Sequence, residues 1–205
     1  MNQQIDTIIF DLGGVLIDWN PGYVFDKSIA SEEDRKYFFE HVCTHDWNEE
    51  QDAGKSLQQA TEERVLLFPE WETHIRAFYG RWEEMLGGAI EGTVKIFNQL
   101  RALPDLKMYA LTNWSQETFP VALNRFEFLH RFDGILVSGE ENTRKPFPEI
   151  YQLIFDRFNI NPKRTVFIDD NLRNINAGEA FGLKVIHFTS PEQLNDELIK
   201  LGILG

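Results

Sequence analysis

Four short stretches carry the reactive groups of this chain. Asp11 follows directly on Thr7-Ile8-Ile9-Phe10 and precedes Gly13 and Gly14, while Thr112-Asn113 ends a run from Lys107. Lys145 stands before Pro146, and Asp169-Asp170 ends Thr165-Val166-Phe167-Ile168. Carboxylates, a hydroxyl, an amide and an ammonium are together what metal-assisted phosphoryl transfer requires. A carboxylate attacks a phosphoryl group poorly because both are anionic. A magnesium ion bridging the two removes the repulsion and orients in-line attack. Asp11 is read as the nucleophile. Lys145 can neutralise phosphoryl oxygens as a point charge, and Thr112 and Asn113 can donate hydrogen bonds to them. Asp11, Asp169 and Asp170 would repel one another around one crevice, so the set asks for a cation. The two glycines let the backbone turn sharply beside the ligand.

Each stretch alone has ordinary uses. An Asp after a strand can be a turn residue, Thr-Asn before a helix can cap it, and paired aspartates can favour a helix dipole. What joins the four is their position at strand ends. Ile8-Ile9-Phe10 reads as a short strand buried on both faces. From Gly92 onward the sequence alternates. Helices are expected over 93–102, 115–124, 147–158, 171–181 and 191–201, and strands over 107–112, 134–138, 165–169 and 184–188. Such alternation implies a doubly wound parallel α/β sheet whose carboxyl ends share one edge, where open sheets bind ligands.

Residues from about Gly22 to Gly87 differ, with few β-branched residues and much Glu, Gln, Arg and Phe. Helical spacing over 32–41, 56–68 and 71–85, with Ser31 as a helix start, predicts an all-helical insertion of three to four helices. Asn20-Pro21 marks its beginning and Gly87-Gly88 a hinge-like return. The expected organisation is a core of residues 1–18 and 88–205 with a helical cap of residues 19–87.

The totals narrow the partners. A hydrophobic fraction of 42% over 205 residues supports a packed core. A net charge of −13 disfavours nucleic acid and anionic membranes, and Cys43, the single cysteine, leaves no internal disulfide. The first six residues show no signal pattern, and no apolar run reaches spanning length, so a soluble cytoplasmic protein is expected. Oligomeric state is not readable.

Asp11-Leu12-Gly13-Gly14-Val15, Leu111-Thr112-Asn113, Lys145-Pro146-Phe147-Pro148-Glu149-Ile150-Tyr151 and Phe167-Ile168-Asp169-Asp170-Asn171 resemble the four motifs of the haloacid dehalogenase superfamily. The insertion after the first resembles that superfamily's small helical cap. Within it the chain is most similar to bacterial phosphatases related to glucose-1-phosphate phosphatase. The resemblance implies that Asp11 forms an aspartyl-phosphate and that Thr112, Lys145 and Asn113 hold the phosphoryl group. It implies magnesium bound by Asp11, Asp170 and the Gly13 carbonyl, with Asp169 binding directly or through water. The implied substrate is a small phosphate ester, a sugar phosphate among the candidates.

One departure matters. The usual phosphatase motif has a second Asp, the general acid and base, at the position of Gly13. The subgroup named above also carries Gly there. Asp18 and His45, equally readable as a capping and a surface residue, are the candidates to substitute. The gap leaves two alternatives: a metal-independent 2-haloacid dehalogenase that attacks carbon, and a phospho-ligand binder without turnover. Trp19 and the segment Trp47 to Gly54 are the substrate-facing candidates of the cap, and Trp114 is expected at the entrance.

Overall fold

The first strand, β1 (Thr7–Phe10), places Ile8 and Phe10 on one face of a sheet and Ile9 on the other, and all three are fully buried. Burial on both faces stabilises by roughly 1.5–3 kcal/mol for each large side chain. The computed structural model describes residues 4–205. Residues 1–3, part of the stretch read above as carrying no signal pattern, lie outside the described residues.

Numbered in chain order, the parallel sheet runs β5 (Gly134–Val137), β4 (Lys107–Thr112), β1, β6 (Thr165–Asp169), β7 (Lys184–His187). The central register sets Phe10 beside Ala110 on one side and Ile168 on the other. Asp11 and Asp169 therefore emerge on the same edge as Thr112, as the strand pattern requires. Phe10 meets Phe97 and Phe132 edge-on, with ring centroids 6.2 Å apart in each case. Phe97 belongs to α6 (Glu91–Arg101), and the same face is covered by α7 (Phe119–Arg125) and α11 (Pro191–Lys200). After the single turn α8 (Ser138–Glu141), the opposite face is closed by α9 (Pro148–Phe158) and α10 (Leu172–Ala180) around Tyr151, Ile154 and Phe167.

The insertion holds five helices among the described residues: α1 (Gly22–Ser28), α2 (Glu32–Tyr37), α3 (His45–Asp52), α4 (Leu57–Leu67) and α5 (Glu72–Gly80). Ser31 caps α2 by accepting from Asp34 N at 3.2 Å, and Ser56 caps α4. The helix expected over 32–41 changes into a wider π-type turn from Phe38 to Val42. The expected spans 32–41, 56–68 and 71–85 missed both α1 and α3; α3 is the one that reaches the site. Its buried residues, Trp47, Glu49 and Gln51, are mostly polar, so no apolar period announces it. Gly87-Gly88 is not a bare hinge. It lies in β3 (Leu86–Ala89), which pairs antiparallel with β2 (Ile17–Trp19) in a two-stranded ribbon. Glycine carries no strand preference, so this pairing had no sequence signal.

One apolar cluster runs from Ile8 and Phe10 through Leu16 into Phe25, Phe38 and Phe78 of the insertion. Toward the site, α7 begins at Phe119 rather than Ser115. Pro120 lacks an N–H and suits a first turn, while Ser115 O accepts from Thr118 N and Phe119 N in a preceding turn. Among the described residues, no helix is long and apolar enough to cross a membrane.

Candidate active site

Asp11 is locked in place by the sheet it leaves. Its N–H donates to Ile168 O at 2.8 Å, so the main chain stays in register one residue beyond β1. Its Oδ1 accepts from Leu12 N at 2.7 Å and lies 3.0 Å from Lys145 Nζ. Lys145 is fully buried, and its ammonium also donates to Asp169 Oδ2 at 2.6 Å. The rest of Asp169 is taken up by its own neighbours. Oδ1 accepts from Asn171 N at 2.8 Å, and Asn174 Nδ2 lies 3.1 Å from both oxygens. Asp169 thus holds Lys145 toward Asp11.

Thr112 and Asn113 end β4 with different roles. The Asn113 amide clamps the Lys145 main chain, donating to its carbonyl at 2.9 Å and accepting from its N–H at 2.8 Å. That clamp occupies the side chain expected to face a ligand, although Asn113 still lines the cavity. Thr112 Oγ1 is buried and has no hydrogen-bond partner among the described residues. A buried unpaired hydroxyl costs about 1–3 kcal/mol, which a ligand oxygen would recover.

Burial, then Lys145 against Asp169 and Asp170, governs the charge on Asp11. Burial with the two neighbouring carboxylates outweighs the ammonium, and its pKa rises well above the usual carboxylate range. Burial and Asp169 raise Asp170 as well. Burial works against the Lys145 ammonium, yet Asp11 and Asp169 prevail and hold its pKa above the ordinary lysine value. Asp11, Asp169 and Asp170 each offer a carboxylate oxygen within 4.8 Å of the others. Gly14, at φ +73°, makes room for this. A Cβ there would stand 2.2 Å from Asp170 Oδ2. Hard oxygen donors crowded at mutual cost, beside a glycine that yields space, fit a divalent cation such as magnesium.

The strand ends open into a cavity of about 500 Å³ shared with the insertion. Asp11, Gly13, Asp170 and Asn113 line its floor, and Trp19, Tyr79, Trp82 and Trp114 supply aromatic walls. Trp19 and Trp114 both line it, and Trp114 is buried. Trp114 Nε1 is satisfied by Thr118 Oγ1 at 3.1 Å, and its ring meets Trp82 edge-on at 5.4 Å. Trp19 Nε1 is buried without a partner among the described residues. Lys145, Thr112 and Asp169 lie beneath the lining.

The segment from Trp47 to Gly54 comprises most of α3 and the turn at its carboxyl end. Trp47 turns away to pack on Phe78 and Tyr79, whereas Asn48, Glu49 and Asp52 face the cavity. Of the two candidate acids, Asp18 is displaced. It belongs to β2, outside the lining, and accepts from Tyr23 OH at 2.5 Å. His45 does line the cavity, 3.2 Å from Glu49. Glu49 is buried among cations: Arg144 Nη2 lies 2.8 Å away and Arg173 Nη2 2.5 Å away. Burial opposes its charge, but His45, Arg173 and Arg144 outweigh it and bring the pKa down to about 2. This cross-link from α3 to the loop before Lys145 and to the first turn of α10 had no sequence signal. Its partners are far apart in the chain and ordinary as types.

A family model described as haloacid dehalogenase-like hydrolase matches residues 5–182. A sesquiterpene phosphatase of Aspergillus oryzae is 24% identical over 194 residues, 88% of each chain. A phosphorylated carbohydrates phosphatase of Thermotoga maritima is 22% identical over 89% of this chain and 84% of its own. Among solved structures, a haloacid dehalogenase family enzyme of Bacteroides thetaiotaomicron, in complex with magnesium and inorganic phosphate, is similar with a TM-score of 0.69. It is 21% identical over 91% of this chain and 95% of its own, a likeness of fold.

Proposed function

The chain belongs to the haloacid dehalogenase-like hydrolases, and we propose that it is a magnesium-dependent phosphatase of a small phosphorylated metabolite, acting through a phosphoaspartate on Asp11. The observation that carries this reading is Lys145 Nζ, buried between Asp11 Oδ1 at 3.0 Å and Asp169 Oδ2 at 2.6 Å. Among the described residues both polar contacts of the Asp11 carboxylate fall on Oδ1, which leaves Oδ2 to attack phosphorus. The ester P–O bond breaks as the new P–O bond to Asp11 forms, and water then attacks the same phosphorus and frees Asp11. The Thr112 hydroxyl, buried and unpaired, and the Lys145 ammonium are the donors for phosphoryl oxygens. Asn113 acts one step back by fixing the Lys145 main chain.

Asp11, Asp170 and the Gly13 carbonyl would hold magnesium, which, when bound, offsets repulsion between the nucleophile and the anionic substrate. Asp169 has its oxygens engaged by Lys145, Asn171 and Asn174, so its share in the metal site is through water at most. The insertion sits over the cavity and limits substrates to small ones. Its aromatic walls suit the apolar face of a sugar ring or an aliphatic body, and glucose 1-phosphate is one ester to include.

The test is phosphate release from p-nitrophenyl phosphate and a panel of sugar phosphates, with magnesium and with EDTA, alongside Asp11→Asn. Metal-dependent release lost in the variant is expected. Halide release from 2-haloacids in EDTA, without phosphate release, would replace this reading by the dehalogenase. Saturable binding with no product would replace it by the non-catalytic binder.

A further inference from the structure

Expelling an alcohol from a phosphate ester needs a proton for the departing oxygen, and activating water needs somewhere for a proton to go. Gly13 has no side chain to supply either. Among the described residues lining the cavity, most titratable groups are committed elsewhere. Asp11 is the nucleophile, and Asp170 faces the metal cradle. Glu49 is held ionised by three cationic neighbours, so it carries no proton to give. His45 is bonded to that same Glu49, and its side chain is 64% exposed. His187 Nε2 lies 2.9 Å from the Asp170 carbonyl. Tyr79 OH donates to Gln51 Oε1 at 2.7 Å, with Asn48 Oδ1 3.0 Å away, and burial drives its pKa up, out of range for proton transfer. Asp52 remains.

Its position is built rather than incidental. Asp52 ends α3, and its carbonyl accepts from the buried Ser138 Oγ at 2.5 Å. The same Ser138 hydroxyl accepts from Trp114 N at 2.9 Å, so one side chain ties α3 to the loop after β4. Gly54, at φ +97°, lets the chain leave α3 against that corner. A Cβ there would stand 2.4 Å from Asn142 Oδ1 and 3.1 Å from Gly139 O. The Asp52 carboxyl faces the cavity beside Ser115, three residues beyond Thr112, and the Ser115 main chain favours the ionised form. Asn48 Nδ2, one turn earlier on α3, lies 3.4 Å from its Oδ2. No cation pairs with Asp52 among the described residues at salt-bridge distance.

We propose that Asp52 is the general acid that protonates the leaving oxygen and then the general base for water, a role that rests on the phosphatase reading above. In the first step the Asp52 proton passes to the ester oxygen as its bond to phosphorus breaks. In the second, the Asp52 carboxylate takes a proton from water as the water oxygen attacks phosphoaspartate. Inorganic phosphate leaves, and the Asp11 carboxylate and protonated Asp52 are restored. The surroundings agree with that cycle. Burial and the Glu49 charge raise the Asp52 pKa to about 7, against weaker opposition from His45, Arg144 and the Ser115 main chain, with neutral Tyr79 opposite on α5. A group that titrates near neutrality can both give and take a proton.

The experiment compares wild type with Asp52→Asn on p-nitrophenyl phosphate, phenyl phosphate and an alkyl phosphate such as glycerol 1-phosphate, with magnesium. Nitrophenolate departs readily without a proton, whereas an alkoxide does not. In the variant, kcat/KM should fall roughly 10²–10³-fold on the alkyl ester but less than about tenfold on p-nitrophenyl phosphate. A burst of nitrophenol followed by a slow steady rate should mark the lost base. The fall of the wild-type alkyl-ester rate above about pH 7 should vanish in the variant. Equal losses on all three esters, carried by KM, would overturn the role and make Asp52 a substrate-binding residue. Wild-type silence on every ester would instead overturn the phosphatase reading and this role with it. A thermal melt at least as high as wild type shows the variant folded.

Discussion

Replacing Asp52 by Asn also probes the electrostatics of the insertion by stability instead of rate. In the folded protein its pKa is raised from 3.8 to about 7, first by burial and then by Glu49. At about 1.4 kcal/mol for each pKa unit, the ceiling on the resulting destabilisation is about 4 kcal/mol. Asp52 is only partly buried and solvent screens Glu49, so about 2 kcal/mol is the expected size. The sign depends on where the proton sits. Below pH 3.8 both states hold it, and the carboxyl costs nothing. Between pH 3.8 and about 7 the unfolded chain has released a proton that the folded chain keeps, so wild-type stability from this group falls as pH rises. Above about 7 both states are ionised and the deficit is constant. Asn has no such proton, so its advantage should grow from pH 4 to 7 and then level off. For a chain of this length that is a rise in Tm of about 4–8 °C at pH 8. The assay is thermal or urea unfolding of both proteins in EDTA across pH 4.5–8.5. A difference independent of pH, or a variant less stable at pH 8, would refute the reasoning.

Two further perturbations address the strand ends. Lys145→Met leaves Asp11 and Asp169 facing each other without the buried ammonium, and should cost about 3–5 kcal/mol in urea unfolding at pH 8. A loss under about 1 kcal/mol would show that the ammonium is not what holds the two carboxylates together. Gly14→Ala drives a Cβ to 2.2 Å from Asp170 Oδ2 at a backbone angle disfavoured for alanine. Magnesium at a hundred times its Kd should stabilise wild type by about 2.7 kcal/mol and the variant by far less. Undiminished stabilisation would remove Asp170 from the metal site.

Local pattern was enough to reveal the chemistry-bearing framework. Ile8-Ile9-Phe10 reads as a strand buried on both faces, and β4, β6 and β7 fall within a residue of their expected spans. Their carboxyl ends must then share an edge, so Asp11, Thr112, Asn113, Lys145, Asp169 and Asp170 could be grouped before any contact was known. These were legible because a short apolar run and the residue after it are neighbours in sequence. The division of labour among them came from packing alone. Asp169 belongs to the carboxylate cluster, and only packing shows that its oxygens also accept from Lys145, Asn171 and Asn174. Asn113 could be read as a ligand donor until its amide proved to clamp Lys145.

The insertion was legible only as helical. Its α3 has a polar buried face, and β2 and β3 pair across most of the insertion, so neither follows a period. Asp18 and Asp52 are the plainest contrast. Both are aspartates, and Asp18 is nearer to Asp11 in the chain, yet Asp18 bonds Tyr23 in a ribbon while Asp52 faces the cavity. A carboxyl's proton affinity depends on the burial and charges around it in space, and folding brings those together from Glu49, Arg144 and Ser115. Residue type names what a group can do; the packing of α3 on the loop after β4 selects which aspartate is placed to do it.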